Sequence, residues 1–292
     1  MFKVSKEHSV YSMSAAHKPA LRVPAGSQIE FETNDCFGGQ IQSESDKFDG
    51  LDFSRINPAT GPVYIEGAEP GDILSIKIDK IEVADHGVIA ISDNMNTLGH
   101  LFEGRAIKII PIKNDIAIFS DKINLPLNKM VGVIGVAPRD PEEIATGVPD
   151  YHGGNMDCKE IAEGKTLHLP VNTPGALLAM GDIHAIMADG EIGGCGLEIA
   201  GKVTVTVDII KNKPKIKNPM LFSDTHIMTI ASHEDLDIAV DMAVADMASY
   251  LIDELGFKPT EAIMLMSLVA DTRICQVVDP KKTIRVEFPK SL

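Results

Sequence analysis

The segment DILSIKIDKIEV (residues 72–83) indicates the fold class, because apolar and polar residues alternate along it with a period of two. Leu74, Ile76 and Ile78 therefore fall on one face, which is the pattern of a half-buried β-strand. The same alternation occurs upstream in QIEFET (28–33). We expect a protein built mainly of strands around these two segments.

More strands are predicted along most of the chain. They are VYIE (63–66), AIKIIPI (106–112), DIAIFS (115–120), MVGVIGVA (130–137), LLAM (177–180), LEIAGKVTVTVDII (197–210) and KTIRVEF (282–288). One short helix is predicted in PRDPEEIATG (138–147), since Pro141 suits a first helical turn and Gly147 a C-terminal cap.

The spacing of apolar residues changes after about residue 230. From Ser232 to Leu255 they recur with the period of a helix, and Ser232 with Asp235 resembles a capping box. Gly256 provides a stop signal. A second helix is predicted from Thr260, after Pro259, to about residue 271.

These patterns predict a β-rich α+β fold, with a mostly antiparallel β-sandwich or barrel-like core and a C-terminal helical pair. The sequence contains no repeat and no long linker. We expect a single integrated unit over residues 1–292, with a β-rich part at 1–230, a helical portion at 232–272 and a closing strand at 282–288.

Composition restricts the class of partner. The 292 residues are 44% hydrophobic and 24% charged, with a formal net charge of −15. This acidity argues against nucleic acid or an anionic membrane as the main partner, because both attract basic surfaces. It favours a small neutral or cationic substrate, and it provides many carboxylates for binding metals.

The four cysteines and the N-terminal segment indicate a cytoplasmic location. Cys36, Cys158, Cys195 and Cys275 show no C-x-x-C spacing, so neither a disulfide framework nor a cysteine zinc site is expected. MFKVSKEHSV (1–10) lacks the apolar stretch of a signal peptide. The longest apolar run is about half the length that a membrane span needs.

Groups that bind metals or transfer protons are concentrated between residues 151 and 198, interleaved with glycines. Asp182 and His184 follow a buried strand and are two residues apart. If the strand continues, they lie on one face and form a two-ligand site for a divalent metal. A polar hairpin with a hydrogen-bonded histidine is the alternative.

Two neighbouring motifs complete this candidate site. DGE (189–191) adds two carboxylates, of which one is a candidate ligand and the other a candidate general base on water. GGNMD (153–157) offers Asn155 and Asp157 as oxygen ligands beside glycines that permit close backbone approach. The alternative is an ordinary turn, in which the same residue types are common. His168 is interpreted as a strand residue of the scaffold, and the role of His152 stays open.

Motifs along nearly the whole chain resemble those of the acetamidase/formamidase family. They are PALRVPAGSQIEFETNDCFGGQI (19–41), PGDIL (70–74), GGNMD (153–157), the GxxLxLPV-like segment 164–171, GALLAMGDIHAIMADGEIGGCGLE (175–198), SLVADTRICQVVDP (267–280) and TIRVEFP (283–289). Ala188 and Cys195 depart from the family pattern, which affects the expected pocket shape more than the chemistry.

The resemblance implies a β-rich homo-oligomer that hydrolyses short amides to ammonia and a carboxylate, with zinc as the metal and calcium as a candidate second ion. It also makes Asp35, Asn155, Asp157, Asp182, His184 and Glu191 the site candidates. Together with the residue patterns above, we expect Asp35, Asp157, Asp182 and His184 to be the metal ligands, Gly154 and Asn155 to bind substrate, and Asp189 and Glu191 to be catalytic.

Two alternatives remain open at this point. One is an amidase with a cysteine nucleophile, either Cys195 or Cys158. The other is a protein that binds a metal or ligand on the same scaffold without catalysis. The absence of lysine between Lys165 and Lys202 weakens serine–lysine and cysteine–lysine chemistry within the central stretch.

Overall fold

The computed structural model describes residues 1–47, 50–94, 96–213 and 215–291. The first strands in these ranges are β1 (Phe2–Val4), β2 (Ser9–Val10), β3 (Ser12–Ser14), β4 (Leu21–Pro24), β5 (Gln28–Thr33), β6 (Ala59–Glu66), β7 (Ile73–Val83), β8 (His86–Ser92), β9 (Arg105–Lys113), β10 (Ile116–Ser120) and β11 (Ile123–Pro126). The later elements are β12 (Met130–Gly135), β13 (Glu143–Ala145), β14 (Gly153–Asn155), β15 (Thr166–Pro170), β16 (Leu178–His184), β17 (Glu198–Ile199), β18 (Gly201–Ile210), β19 (Met220–Phe222), β20 (His226–His233), α1 (Leu236–Asp253), α2 (Pro259–Val269), β21 (Asp271–Gln276) and β22 (Lys282–Pro289). Short 3₁₀ turns occupy Phe53–Arg55 and Gly99–Leu101.

Most of the strands form two large open sheets. The first has nine strands in the order β1-β5-β18-β7-β15-β19-β20-β22-β21. The second has eleven, with β11-β10-β9-β8-β17-β16-β12-β14 along its length and β6 joining β2 and β4 to β16. All described strand pairs are antiparallel except β1 with β5 and β4 with β6.

The main hydrophobic core lies between the two sheets. Ile76 and Val205 from the first sheet and Val131 and Met180 from the second belong to one buried cluster. This arrangement confirms the prediction of a β-rich, mostly antiparallel α+β sandwich, whereas the sheets do not close into a barrel.

The two helices cover part of the outer face of the first sheet. Along β20, Met228 and Ile230 belong to the core between the sheets, whereas Ile227 and Ala231 pack into a second cluster with Ala243 of α1. This strand is buried on both faces, because alternate side chains point to opposite sides of a sheet. The predicted C-terminal helical pair is confirmed, although two strands follow it instead of one.

Three details of the sequence prediction were wrong. The segment 138–147 contains the short strand β13 and no helix, because its backbone pairs with β3. The segment 197–210 is two strands in different sheets, since the chain passes from β17 to β18 at Ala200. Helix α1 is capped by Asp235, whose side chain accepts hydrogen bonds from the amides of residues 237 and 238, while Ser232 still belongs to β20.

The second sheet supplies the framework of the functional site. Strand β16 lies between β12 and both β17 and β6, so its residues are buried over its whole length. The carboxyl end of β16 and the start of β17 bring acidic side chains together in the interior. Among the described residues, no helix has the length and apolarity needed to cross a membrane.

Candidate active site

Strand β16 ends in Asp182-Ile183-His184, and both polar side chains are almost completely buried. The His184 Nε2 atom lies 3.5 Å from Asp182 Oδ1, 3.7 Å from Asp157 Oδ1 and 3.2 Å from Glu198 Oε1. Asp157 follows β14, and Glu198 is the first residue of β17, the strand next to β16. Three carboxyl groups from three strands or strand ends therefore surround one imidazole.

Three carboxylate residues of this site have left-handed backbones. The φ angles are +42° at Asp157, +54° at Asp182 and +44° at Glu191. Aspartate tolerates this region better than most residues, but the conformation is uncommon outside glycine. Such residues persist where the surrounding structure holds them, which is frequent at functional sites.

Gly132 of β12 provides the space for two of these carboxylates. It lies opposite Asp182 in the register that pairs Val131 with Ile183 and Val133 with Gly181. A β-carbon at this position would come within 2.5 Å of Asp157 Oδ1 and 2.6 Å of Asp182 Oδ2. Only glycine leaves both oxygens where they are.

A second pair of strand ends brings in Asn155, Glu191 and Asp279. The Asn155 side-chain amide donates a 3.0 Å hydrogen bond to Asp279 Oδ2. The turn that carries Glu191 is joined to the end of β21, because the Gly190 amide donates to the Cys275 carbonyl at 2.9 Å. We call Asp157, Asp182, His184, Glu191, Glu198 and Asp279 the acid cluster.

The acid cluster lines a small cavity of about 110 Å³. The other side chains on its wall are mainly apolar, amide or thiol groups. The full lining is Cys36, Phe37, Phe53, Ile56, Asn57, Ala90, Ser92, Asn155, Asp157, Asp182, His184, Glu191, Gly193, Gly194, Cys195, Glu198 and Asp279. This lining contains five carboxyl groups and no lysine or arginine.

The crowding of carboxyl groups changes their protonation. Burial, reinforced by the neighbouring carboxylates, raises the pKa values of Asp157, Glu191 and Asp279 well above their ordinary range. Burial also raises the pKa of Glu198 to about 7. Burial lowers the pKa of His184, but the charges of Glu198 and Asp182 outweigh it and raise this pKa well above its ordinary value. The site thus favours added positive charge.

The donor atoms of the acid cluster fit a divalent cation. Asp157 Oδ1, Asp182 Oδ1 and Glu198 Oε2 are buried and lack any hydrogen-bond partner within the described chain. Buried polar atoms without partners are costly, so they indicate a bound ion or ligand. Asp157, His184 and Glu191 can direct one ligand atom each to within 4.8 Å of one another, and so can Cys36, Asp182 and Glu198.

Three residues predicted for the site lie outside this cavity. Asp189 forms a two-point salt bridge with the buried Arg285, at 2.6 and 2.9 Å, and a further one with Lys159. The Asp35 carboxylate accepts a hydrogen bond from the Gly39 amide at 3.0 Å and stabilises its own loop.

Gly154 is the third residue outside the cavity. It has φ of +87°, and a β-carbon there would lie 2.4 Å from the Val148 carbonyl oxygen, so it serves close packing. The structure does bring together Asn155, Asp157, Asp182, His184 and Glu191, as the sequence analysis expected.

Three cavity residues that carry a carboxyl or thiol group, Cys36, Glu198 and Asp279, were not predicted for the site. Glu198 ends the segment 151–198 in which such groups are concentrated, but its role depends on the pairing of β17 with β16, which spacing alone does not predict. Asp279 lies within the motif SLVADTRICQVVDP, where its acidic residue before proline was the available signal. Cys36 directly follows Asp35, and nothing in the sequence around them indicates which of the two side chains lines the cavity.

The cysteines of the cavity are poor nucleophiles. The Cys195 thiol donates a 3.0 Å hydrogen bond to the Ala90 carbonyl. Burial raises the pKa values of Cys195 and Cys36 well above the ordinary thiol value, and nearby carboxylates add to this. Cys158 is buried and does not line the cavity. Since the thiolate is the reactive form, Cys36 and Cys195 favour unreactive thiols. A hydrogen bond with Cys275 and the charge of Arg285 lower the pKa of Cys158, but this thiol lies away from the cavity.

A larger cavity, of about 410 Å³, lies apart from the acid cluster beside α1. It contains His168, whose ring lies 4.5 Å from that of Phe222, together with aliphatic side chains and lysines 213, 215 and 217. The described lining has no convergent set of metal-binding groups. We assign the candidate active site to the smaller cavity, because chemistry depends on the converging groups and not on volume.

Both the sequence and the fold of this chain are similar to those of known proteins. The model of the Acetamidase/Formamidase family matches residues 15–143 and 141–292. A solved structure of a predicted acetamidase/formamidase from Thermoanaerobacter tengcongensis is 46% identical, with a TM-score of 0.96 over 99% of this chain and 95% of that one. The crystal structure of an acetamidase from Bacillus halodurans is 42% identical, with a TM-score of 0.96 over 99% of this chain and 97% of that one.

A curated relative from Schizosaccharomyces pombe is more distant. It is 27% identical over 65% of this chain, and the match spans 61% of its own length.

Proposed function

Because this chain belongs to the acetamidase/formamidase family, we propose that it hydrolyses the carbon–nitrogen bond of a short amide in the cavity of the acid cluster. Family membership and the solved neighbours support an amidase acting on such bonds. The observation that carries the assignment to this cavity is the convergence of five carboxyl groups and one imidazole, several with unpartnered atoms, on one buried space.

The size of the cavity favours a very small substrate. A volume of about 110 Å³ lies well below the roughly 300–1,000 Å³ of pockets that hold drug-sized ligands. Formamide has three non-hydrogen atoms and acetamide four. We propose that amides of this size are the substrates, and that longer acyl chains meet the side chains of Phe37, Phe53 and Ile56.

Asn155 is the proposed substrate-binding residue. Its amide nitrogen is already engaged by Asp279, so its Oδ1 atom is fixed in position as a buried acceptor without a partner. An amide substrate has an NH₂ group, which can donate to this oxygen. Asp279 therefore orients Asn155, and Asn155 orients the nitrogen that leaves.

Asp157, Asp182, His184 and Glu198 are the residues that would hold a divalent cation. Mixed oxygen and nitrogen donors suit zinc, while the surplus of carboxylate oxygens leaves calcium as the proposed second ion. When bound, such a cation polarises a carbonyl oxygen and lowers the pKa of water towards about 7. In this ligand set Glu198 takes the place that the sequence analysis gave to Asp35.

Glu191 is the proposed general base. Its carboxylate takes one proton from the attacking water while the water oxygen forms a bond to the amide carbon. As the carbon–nitrogen bond breaks, Glu191 returns this proton to the nitrogen, and ammonia leaves. The acyl group remains as the carboxylic acid, which ionises in water to the carboxylate.

The test is ammonia release from formamide, acetamide and propionamide, with protein stripped of metal and then reconstituted. Metal content and calorimetric binding of zinc are measured on the same samples. We expect release from formamide and acetamide only with a cation bound, and one high-affinity zinc site. Full activity of protein shown to be metal-free would reject the cation, and ligand binding without ammonia release would reject the amidase assignment.

Three further features are proposed together with this activity. The chain is proposed to act as one unit over residues 1–292, to be cytoplasmic, and to form a homo-oligomer. The four described cysteines are free, which suits a reducing compartment.

A further inference from the structure

Helix α2 carries an apolar surface that no described element covers. Ile263, Met264 and Leu268 are 60%, 65% and 79% exposed, while Ala262 and Met266 face the interior. Met264 and Leu268 are four residues apart and so lie on one side of the helix, one turn from each other. A helix with apolar residues on its outer side marks an interaction site.

Charge is almost absent from this helix. Its sequence PTEAIMLMSLV contains a single charged residue, Glu261, although the whole chain has a net charge of −15. A solvent-facing helix normally presents charged and polar groups outward. The outer side of α2 therefore has the composition of the centre of an interface, where charged residues are depleted and methionine is enriched.

The apolar surface continues onto the edge of the first sheet. Helix α2 ends at Val269, and after Ala270 the chain enters β21, the terminal strand of that sheet. Gly190 covers the outer edge of β21 only near Cys275. From Asp271 to Ile274 the outer edge has no strand partner among the described residues, and Ile274 is exposed. An open edge is a template for pairing with another strand.

The charges on this edge identify the partner. Asp271 and Arg273 flank Thr272, and their side chains form an exposed salt bridge of 2.7 Å within the strand. If a second β21 pairs antiparallel about Thr272, each Asp271 lies opposite Arg273 of the other copy. Opposite charges across an antiparallel pair are favourable. The edge is thus complementary to itself.

We propose that two copies of this chain associate through the exposed side of α2 and the β21 edge, which we call the α2–β21 surface. The two β21 strands pair antiparallel about a two-fold axis at Thr272. The outer sides of the two α2 helices then contact each other and are shielded from solvent. A two-fold contact requires a surface that complements itself, and interfaces between identical chains are more apolar than transient ones. The proposal specifies the surface of the homo-oligomer proposed above and does not depend on amide hydrolysis.

The first test is the molar mass of the full chain in solution, by light scattering after gel filtration and by sedimentation. We expect wild-type protein to have at least twice the mass of one chain. Leu268→Glu places a charge in the contact and should weaken association about tenfold or more. Leu101→Glu is the matched control, because Leu101 is 69% exposed on a different part of the surface, and its mass should equal that of wild type.

The second test exchanges the charges of the edge. Arg273→Asp and Asp271→Arg should each weaken self-association, because they place like charges opposite each other. A mixture of these two variants should associate again, since every aspartate then meets an arginine. Circular dichroism and ammonia release are recorded for each variant, so that unfolding and loss of the proposed activity are seen separately from loss of association.

The outcomes separate the possible occupants. Recovery of association in the mixture supports a second copy in the stated register. A monomeric wild-type chain, or an oligomer whose mass is unchanged by Leu268→Glu, would overturn the proposal. The same holds if a different protein, and not a second copy, binds at α2 while the purified chain stays monomeric.

Discussion

Gly132 of β12 faces Asp182 of β16 on the neighbouring strand, and the Asp182 carboxylate occupies the space that a side chain at position 132 would fill. A β-carbon at Gly132 would lie 2.6 Å from Asp182 Oδ2. This pair connects the backbone of the second sheet directly to the proposed cation site.

Replacement of Gly132 by alanine should therefore displace Asp157 and Asp182. We expect loss of zinc binding and roughly 100-fold lower activity, since displacement of reacting groups by about 1 Å has effects of this size. Calorimetry and ammonia release measure the two effects. Gly50→Ala is the control, because an added β-carbon there meets nothing within 4 Å. Unchanged zinc affinity in Gly132→Ala would contradict the role of this glycine.

Glu191→Gln tests the proposed base without a change in shape. Activity should fall by about 10²- to 10⁴-fold, the usual contribution of a general base, while the zinc content stays at the wild-type value. Metal analysis and steady-state kinetics are measured on the same preparation. Loss of zinc together with activity would make Glu191 a ligand, and retention of full activity would exclude it as the base.

Asp189→Asn should act mainly on stability, although Asp189 is only two residues from Glu191. It removes the partner of Arg285, whose side chain is 2% exposed, and loss of one member of a buried ion pair costs about 3–5 kcal/mol. Urea unfolding should show that the free energy of unfolding decreases by an amount near the lower end of that range, because Arg285 also pairs with Glu287.

Two comparisons make this stability prediction specific. Asp121→Asn, at an exposed position, should change the free energy of unfolding by less than about 0.5 kcal/mol. The folded Asp189→Asn protein should remain far more active than Glu191→Gln. If its activity were as low as that of Glu191→Gln while its stability was normal, Asp189 would belong to the catalytic machinery.

Cys195→Ala separates the proposed mechanism from a cysteine nucleophile. The thiol is hydrogen-bonded to the Ala90 backbone, so its removal should leave the rate of acetamide hydrolysis within about tenfold of that of wild type. The cavity gains room, and kcat/KM for propionamide relative to acetamide should rise roughly tenfold, which is the scale of one methylene group. An inactive Cys195→Ala enzyme with its cation bound would revive the cysteine mechanism.

His152 should make the protein sensitive to mild acid. Its imidazole is fully buried, both ring nitrogens lack partners among the described residues, and burial lowers its pKa to about 4. Between pH 6.5 and 5 the unfolded imidazole takes up a proton, and the folded one does not. Stability is therefore lost as the pH falls through this window, by about 2 kcal/mol at 1.4 kcal/mol per pH unit.

Urea unfolding of wild type and His152→Gln at several pH values measures this contribution. The pH dependence of the variant should be shallower by about that amount below pH 6.5, and the two curves should run parallel above pH 7. Identical slopes at low pH would show that His152 is protonated in the folded state. The comparison is needed because buried carboxyl groups with raised pKa values have the opposite dependence on pH.

Local patterns were sufficient for much of the fold. The alternation in 28–33 and 72–83 identified β5 and β7, and the helical period identified α1 and α2, because each of these patterns is complete within its own element. The crossing at Ala200 was not predicted. Ala200 and Gly201 interrupt the strand-forming residues of 197–210, but only pairing with different sheets shows that the chain divides there.

The site was predictable only where its residues are close in sequence. Asp182 and His184 share a strand, so their proximity followed from spacing. Glu198 and Asp279 reach the cavity through strand pairing and through the turn at Gly190, which are long-range relationships. Asp189 and Glu191 could not be distinguished from composition, because the left-handed backbone at Gly190 and Glu191 sends one carboxylate to Arg285 and the other to the cavity.

The left-handed backbones at Asp157, Asp182 and Glu191 affect how mutational scans of this site should be interpreted. Aspartate and asparagine accept such a backbone more readily than alanine. An alanine scan would add a conformational penalty to the loss of each carboxylate and would overstate the chemical importance of all three positions. Asparagine at 157 and 182, and glutamine at 191, keep side-chain size and polarity nearly constant and report the effect of charge.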